Sequence, residues 1–251
     1  MDKEKYLARF NALLKEPSLD NLTALQTLHL QAIPFENLDI IRRVPIYLNL
    51  NTIYDKIVSN HRGGYCYELN GLFHSLLSEL GYEAYLVAAT VLRPTGKWAK
   101  ADTHAAIIVQ LDVPYLVDVG FGAATPRLPV PLNGDLQTDI RASYKVKKHE
   151  GNTFDLIRKT GSGERTLYRF TNAEKSLPDF HEGCVFNQVS PESSFTHTDI
   201  ITRSTPTGQV TLSDYILSEH DDGKVTTTTL SATEKKQALQ DIFKISLNED
   251  E

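Results

Sequence analysis

The hydrophobic pattern of this chain changes period at Glu83, and that change restricts the fold to helices first and strands afterwards. Upstream, Tyr6, Phe10, Leu13 and Leu14 share one helical face, residues 20–31 predict a second helix with Asp20 or Asn21 as N-cap, and residues 51–59 a third. The fourth helix is the best defined. Leu69, Phe73, Leu76, Leu77 and Leu80 form an apolar stripe of helical period, preceded by Gly63-Gly64 and followed by Gly81, where a left-handed residue ends a helix. Downstream, residues 83–92, 104–111, 114–119, 142–148, 154–159 and 165–170 are short runs rich in Val, Ile, Tyr and Leu. Gly, Pro, Asn and Asp separate them, which predicts a mainly antiparallel sheet or small barrel with a hairpin turn at Gly161-Ser162-Gly163. From about residue 171 both textures mix. Gly208 and Asp222-Gly223 mark hairpin turns, Ser231 and Glu234 make a capping box for a helix reaching about Phe243, and the tail Asn248–Glu251 is expected to fray.

Composition removes several classes. With 41% hydrophobic residues in 251, the chain has enough apolar content for a sizeable core. Two cysteines, Cys66 and Cys184, cannot build a disulfide framework, and as free thiols they suit a reducing cytosol, so a cytoplasmic protein is expected. The N-terminus lacks the apolar core of a signal peptide, and the longest apolar run, Ala84 to Leu92, is about half of what crosses a bilayer, so no membrane role is expected. Asp and Glu outnumber Lys and Arg by 32 to 26, with no basic stretch, which argues against a nucleic-acid partner.

Chemistry concentrates in Arg62-Gly63-Gly64-Tyr65-Cys66-Tyr67-Glu68-Leu69-Asn70. Cys66 lies on the inward stripe at a helix start, where unpaired N–H groups favour thiolate and are expected to lower its pKa. The bland alternative is a small core residue, which is the reading that suits Cys184. A cysteine nucleophile needs a base and an orienting group. His74, eight residues along the helix, is about 12 Å away and is excluded; His61 and His104 remain. His104 opens an apolar strand, and Asp118 sits amid apolar neighbours on the next, where a carboxylate has to be paired. A two-residue loop between those strands puts His104 and Asp118 on opposite faces. A three-residue loop or a bulge makes them same-face diagonal neighbours. No Walker A pattern, dinucleotide fingerprint or metal-finger spacing is present, so no metal is expected. Arg93-Pro-Thr-Gly-Lys97-Trp-Ala-Lys100 is a basic island in an acidic chain, and Lys97 and Lys100 are candidates for contacting ligand phosphates.

Arg62-Gly63-Gly64-Tyr65-Cys66 resembles the Arg-Gly-Gly-aromatic-Cys signature of the arylamine N-acetyltransferases. Pro34-Phe35-Glu36-Asn37-Leu38, the strand beginning at His104, Asp118-Val119-Gly120-Phe121-Gly122 and Ser190-Pro191-Glu192-Ser193-Ser194-Phe195 match other signatures of that family in order. The resemblance spans nearly the whole chain. It implies an α+β fold with an N-terminal helical bundle over 1–82, a central antiparallel β-barrel over 83–190 and a C-terminal α/β lid over 191–251, around a cysteine-protease-like Cys-His-Asp core. It also implies that Cys66, His104 and Asp118 form a catalytic triad, that Glu36 and Arg62 form a structural ion pair, and that Phe121, with Phe35 and Thr103, lines the substrate pocket. The implied reaction carries an acetyl group from acetyl-CoA, through the cysteine, to an arylamine, hydrazine or arylhydroxylamine nitrogen. The rivals are a cysteine hydrolase with the same triad and a non-catalytic binding protein on this fold.

Overall fold

Residues 1–247 are described in a computed structural model, and the tail expected to fray, at 248–251, lies outside the described residues. The N-terminal part holds α1 (Lys3–Arg9), α2 (Leu19–Ala32), a two-residue strand β1 (Phe35–Glu36), α3 (Leu38–Ile41), α4 (Leu50–Tyr54) and α5 (Cys66–Glu79). Helix α1 is shorter than the apolar spacing predicts. Asn11 takes a left-handed φ of 56°, the chain turns away, and Leu13 and Leu14 end up exposed instead of continuing the buried face of Tyr6 and Phe10. The N-cap of α2 is Ser18, whose hydroxyl accepts from Asn21 N at 3.1 Å, and neither Asp20 nor Asn21 takes that role. Helix α4 widens into a π-helical turn over Asp55–Ser59. Helix α5 ends where the sequence places its end, at Leu80 with Gly81 at φ +90°.

Eight strands form one antiparallel sheet: β2 (Glu83–Val91), β3 (His104–Gln110), β4 (Pro114–Val117), β5 (Val130–Pro131), β6 (Gln137–Thr138), β7 (Ser143–Lys148), β8 (Thr153–Thr160) and β9 (Gly163–Thr171). Their spatial order is β5-β4-β3-β2-β9-β8-β7-β6, and β5 also lies against β7, so the sheet curls into a nearly closed barrel. Helix α6 (His181–Val189) follows. The rest is β10 (Ile200–Ser204), β11 (Gly208–Ser213), β12 (Ile216–Asp221), β13 (Lys224–Thr229) and α7 (Ala232–Asp241).

The Asp222-Gly223 turn is a two-residue hairpin with both residues at positive φ, and Ser231 and Glu234 cap α7, as the sequence predicts. Gly208 is not itself the turn. It is the first residue of β11, and a β-carbon there would lie 1.7 Å from the His220 carbonyl oxygen on β12.

Three apolar clusters hold these parts together. One joins the helices to the outer face of β2 and β3, one fills the barrel, and one lies between the C-terminal sheet and α7. The parts are interlocked, since β1 from the helical region pairs antiparallel with β10, Phe35 opposite Thr202.

Candidate active site

Cys66 is the first residue of α5, and the turn before it is held from several sides. A β-carbon on Gly63 would stand 2.1 Å from the Pro34 carbonyl oxygen, so only glycine lets the two backbones approach there. Gly64 accepts from Glu36 N at 2.9 Å, and the Glu68 carboxylate accepts from Tyr65 N at 3.1 Å, capping the helix directly before the cysteine. Beneath the turn, Arg62 bonds Glu36 at 2.8 Å and Asp39 at 2.7 Å, while Lys56 bonds Asp39 at 2.7 Å and Glu68 at 2.8 Å. The Glu36–Arg62 contact therefore exists as one edge of a buried cluster of three carboxylates and two cations.

His104 opens β3, and the β3–β4 connection has three residues. Gln110 pairs with Pro114 and Ile107 with Val117, so the register brings Asp118 opposite Ala106, on the same face as His104 and diagonal to it. The His104 ring and Asp118 Oδ2 are 2.8 Å apart through Nε2, which leaves Nδ1 as the second ring nitrogen. Phe121 and Tyr168 flank the imidazole with ring centroids 5.1 and 5.0 Å away and fix its plane.

Asp118 is fully buried and takes four donors. Its Oδ2 accepts from His104 and from Tyr168 Oη at 3.0 Å; its Oδ1 accepts from Asn70 Nδ2 at 2.9 Å and Gly120 N at 2.8 Å. Burial by itself would push the carboxyl up. The His104 ring and the Asn70 and Gly120 donors outweigh burial and hold it below the usual carboxylate range. Asn70 also donates to the Ala105 carbonyl at 2.7 Å and accepts from Val119 N at 2.9 Å, so one side chain, four residues after Cys66, fastens α5 to both strands of the hairpin.

The thiol behaves differently from the helix-start expectation. Burial pushes Cys66 up, with a smaller push from Asp118, and the N–H groups of Ala105 and Tyr67 only partly oppose it. The Cys66 Sγ faces the Thr103 carbonyl at 3.9 Å, and Asn187 donates to that same carbonyl at 3.1 Å. A thiolate at this depth requires a cation beside it, and the His104 ring shares the cavity wall with the thiol.

Above the thiol lies a cavity of about 220 Å³. Cys66, His104, Thr103, Phe35 and Phe121 all line it, together with Phe186, Phe195, Ile200 and Arg93. Asp118 is buried behind His104. Lys97 and Lys100 stay outside; Lys100 pairs with Glu182 at 2.6 Å, and Lys97 is exposed on the same loop. His61, left open as a base by the sequence, is exposed at φ +54°, with its carbonyl accepting from Arg9. Cys184 is a core thiol 2.7 Å from Tyr65 Oη. Among the described residues no group of three or more His, Cys, Asp or Glu is arranged to hold a metal, and no helix is long and apolar enough to cross a membrane. Tyr168 and Phe186 were given no role by the sequence, while Asn70, Arg93 and Phe195 lay inside segments it marked (the Arg62–Asn70 run, the basic island and the Ser190–Phe195 signature) without a role of their own.

A buried thiol at a helix start, an imidazole–carboxylate pair beside it and an apolar cavity above define the class of cysteine acyl-transfer proteins. Residues 18–251 match the family model described as N-acetyltransferase. The chain is 32% identical over 222 residues to the arylamine N-acetyltransferase of Escherichia coli, covering 87% of this chain and 79% of that one. Among solved structures it resembles the Mycobacterium marinum arylamine N-acetyltransferase in complex with CoA, with a TM-score of 0.90 and 33% identity, covering 97% and 93% of the two chains. It also resembles the Bacillus cereus arylamine N-acetyltransferase, described as having a Cys-His-Glu catalytic triad, with a TM-score of 0.92 and 26% identity over 98% and 100% of the chains. The chain belongs to the arylamine N-acetyltransferase family. Its own imidazole partner is an aspartate.

Proposed function

We propose that this chain moves an acetyl group from acetyl-CoA through a thioester on Cys66 to the nitrogen of an aromatic amine, hydrazine or hydroxylamine, in ping-pong order. The observation that carries the reading is the cavity whose walls bring together the Cys66 thiol and the Asp118-bound His104 ring. The Cys66 proton passes to His104 Nδ1 as sulfur attacks the thioester carbonyl. The tetrahedral intermediate collapses with cleavage of the C–S bond to coenzyme A, which leaves as a thiol after taking the proton back from His104. The amine then attacks acetyl-Cys66, its N–H proton goes to His104, the amide leaves, and the sulfur recovers the proton.

Asp118 fixes the tautomer and stabilises imidazolium without taking a proton itself. The Tyr67 and Ala105 N–H groups, which act on the sulfur to favour its anion, are the donors available to the oxyanion. Arylamines suit the site because their weak basicity leaves them neutral at pH 7, and Phe35 and Phe121, with Thr103 at the edge, offer the ring a flat wall. Lys97 and Lys100, on the loop flanking the cavity, are the proposed contacts for coenzyme A phosphates. Glu36 and Arg62 serve structurally, holding the turn that presents Cys66. The working division is a nucleophile-bearing bundle over 1–82, a barrel over 83–190 supplying His104 and Asp118, and a lid over 191–251. Two free thiols fit a reducing compartment such as the cytoplasm.

Intact-mass measurement after mixing with acetyl-CoA tests the reading. An adduct of about 42 Da is expected on the wild-type chain and not on Cys66→Ala, as the covalent mechanism requires. No adduct under any condition refutes acetyl transfer and leaves a binding protein. Rapid release of coenzyme A at the same rate with and without an aromatic amine points to a hydrolase.

A further inference from the structure

Arg93 is the cation in the cavity wall that has no carboxylate partner among the described residues. Apart from His104, its neighbours around the cavity carry no ionisable side chain beyond the Cys66 thiol. Resting on the acetyl-transfer reading above, we propose that Arg93 selects acceptors bearing a carboxylate on the aromatic ring, so that the preferred amines are anionic aminobenzoate-type molecules.

The backbone of Arg93 is fixed before any ligand arrives. Its N–H bonds the Lys97 carbonyl at 2.9 Å, its carbonyl accepts from Gly96 N at 2.9 Å, and Ala99 N closes the same loop on the Val91 carbonyl at 2.8 Å. The guanidinium donates one bond, from Nη2 to the Glu192 carbonyl at 3.0 Å, which ties it to the segment leading into the lining residues Ser193 and Ser194. That uses a single N–H of five, and a peptide carbonyl does not neutralise the charge. The surrounding wall, with Phe121, Phe186 and Phe195, is apolar. A half-buried guanidinium beside such surface gains most from a ligand that brings a flat ring and a planar anion together, which is the geometry of an aromatic carboxylate. Lys97 and Lys100 lie outside the cavity, so the phosphates of coenzyme A and the carboxylate of the acceptor have separate cations.

Ping-pong kinetics separate the two half-reactions, because kcat/KM for each substrate reports only its own half. The experiment measures kcat/KM for 4-aminobenzoate, for its uncharged counterpart 4-aminobenzamide and for acetyl-CoA, in the wild type, Arg93→Gln and Arg93→Lys. The 3-substituted pair is run alongside. The benzoate-to-benzamide ratio cancels loss common to both, and its change on mutation cancels the difference in ring electronics. In Arg93→Gln that ratio is expected to fall roughly ten- to a hundred-fold, the range for a hydrogen bond to a charged group, with part of it restored in Arg93→Lys. An unchanged ratio for both pairs overturns the proposal. So does a larger loss in the acetyl-CoA half-reaction than in the benzoate one, which assigns Arg93 to the donor's phosphates. Absence of the acetyl-Cys66 adduct in the wild type removes the underlying reading and this inference with it, whereas an adduct with an unchanged ratio removes the inference alone.

Discussion

A β-carbon on Gly120 would stand 2.7 Å from the Cys66 α-carbon and 2.8 Å from Asn70 Nδ2. The segment carrying Asp118 thus touches the helix start carrying Cys66 with no room for a methyl group. Gly120→Ala is expected to push the Asp118 turn away from α5, destabilise the fold by about 1–3 kcal/mol as an overpacked site does, and slow acetyl-Cys66 formation more than tenfold. Denaturant melts and single-turnover acylation measure both. Wild-type acylation in a fully folded variant would show that this contact does not position the site.

Asp118 accepts from four donors, and an asparagine there offers an NH₂ group to at least one of them. Asp118→Asn is expected to lower acetyl transfer by at least roughly a thousand-fold, through the wrong imidazole tautomer. Tyr168→Phe removes one donor and leaves the tautomer, so its loss is expected to be much smaller. Equal losses in the two variants would mean that Asp118 acts mainly as a structural acceptor.

The buried cluster below the Gly63-Gly64 turn gives a stability prediction. Lys56 is the partner shared by Asp39 and Glu68. Lys56→Met leaves Asp39 with Arg62 alone and takes away the cation that pairs with Glu68, and is expected to cost about 3–5 kcal/mol, as breaking a buried ion pair does. Adding Glu68→Gln is expected to return part of that loss. Additive effects in this double-mutant cycle would show that the two side chains are not coupled.

His29 is fully buried with its Nε2 at 2.8 Å from Tyr6 Oη, and burial, with a smaller contribution from Arg9, pushes its pKa down to about 3. An unfolded histidine titrates near 6.5. Between those values the unfolded chain binds a proton that the folded one refuses. The contribution is therefore complete above pH 6.5 and is lost as pH falls towards 3, at about 1.4 kcal/mol per pH unit. Urea melts of His29→Phe between pH 5 and 6.5 are expected to show a slope shallower by about one proton. An unchanged slope would mean that another group, such as His74, carries the acid sensitivity.

Much of the site was legible because it depends on local spacing. The position of Cys66 follows from the stripe of Leu69, Phe73 and Leu76, whereas the His104–Asp118 contact turns on one quantity that the sequence left open between two and three residues, the length of the loop, which is three residues at 111–113. Tyr168 was not legible, since its approach to Asp118 depends on β9 pairing with β2 in a sheet that curls round. Phe186, Phe195 and Arg93 meet in the cavity through tertiary packing that no local period encodes. Leu13 and Leu14 kept helical spacing while the backbone reversed at Asn11, an outcome periodicity cannot register. The depth of Cys66 likewise depends on what covers the helix end, so the expected lowering of its pKa gave way to burial.

During synthesis the helix bearing Cys66 leaves the ribosome first, the β3–β4 hairpin with His104 and Asp118 next, and β10 late. Until β10 emerges, Phe35 and Glu36 hold only their contacts with the Arg62–Gly64 turn and lack their antiparallel strand partner, and the wall containing Phe195 and Ile200 does not exist. Cys66, His104 and Asp118 all precede in the chain the segment that completes the wall over them, and contacts of such long sequence separation carry the larger loop-closure cost. Order along the chain thus separates the residues that meet around the Cys66 thiol from those that cover it.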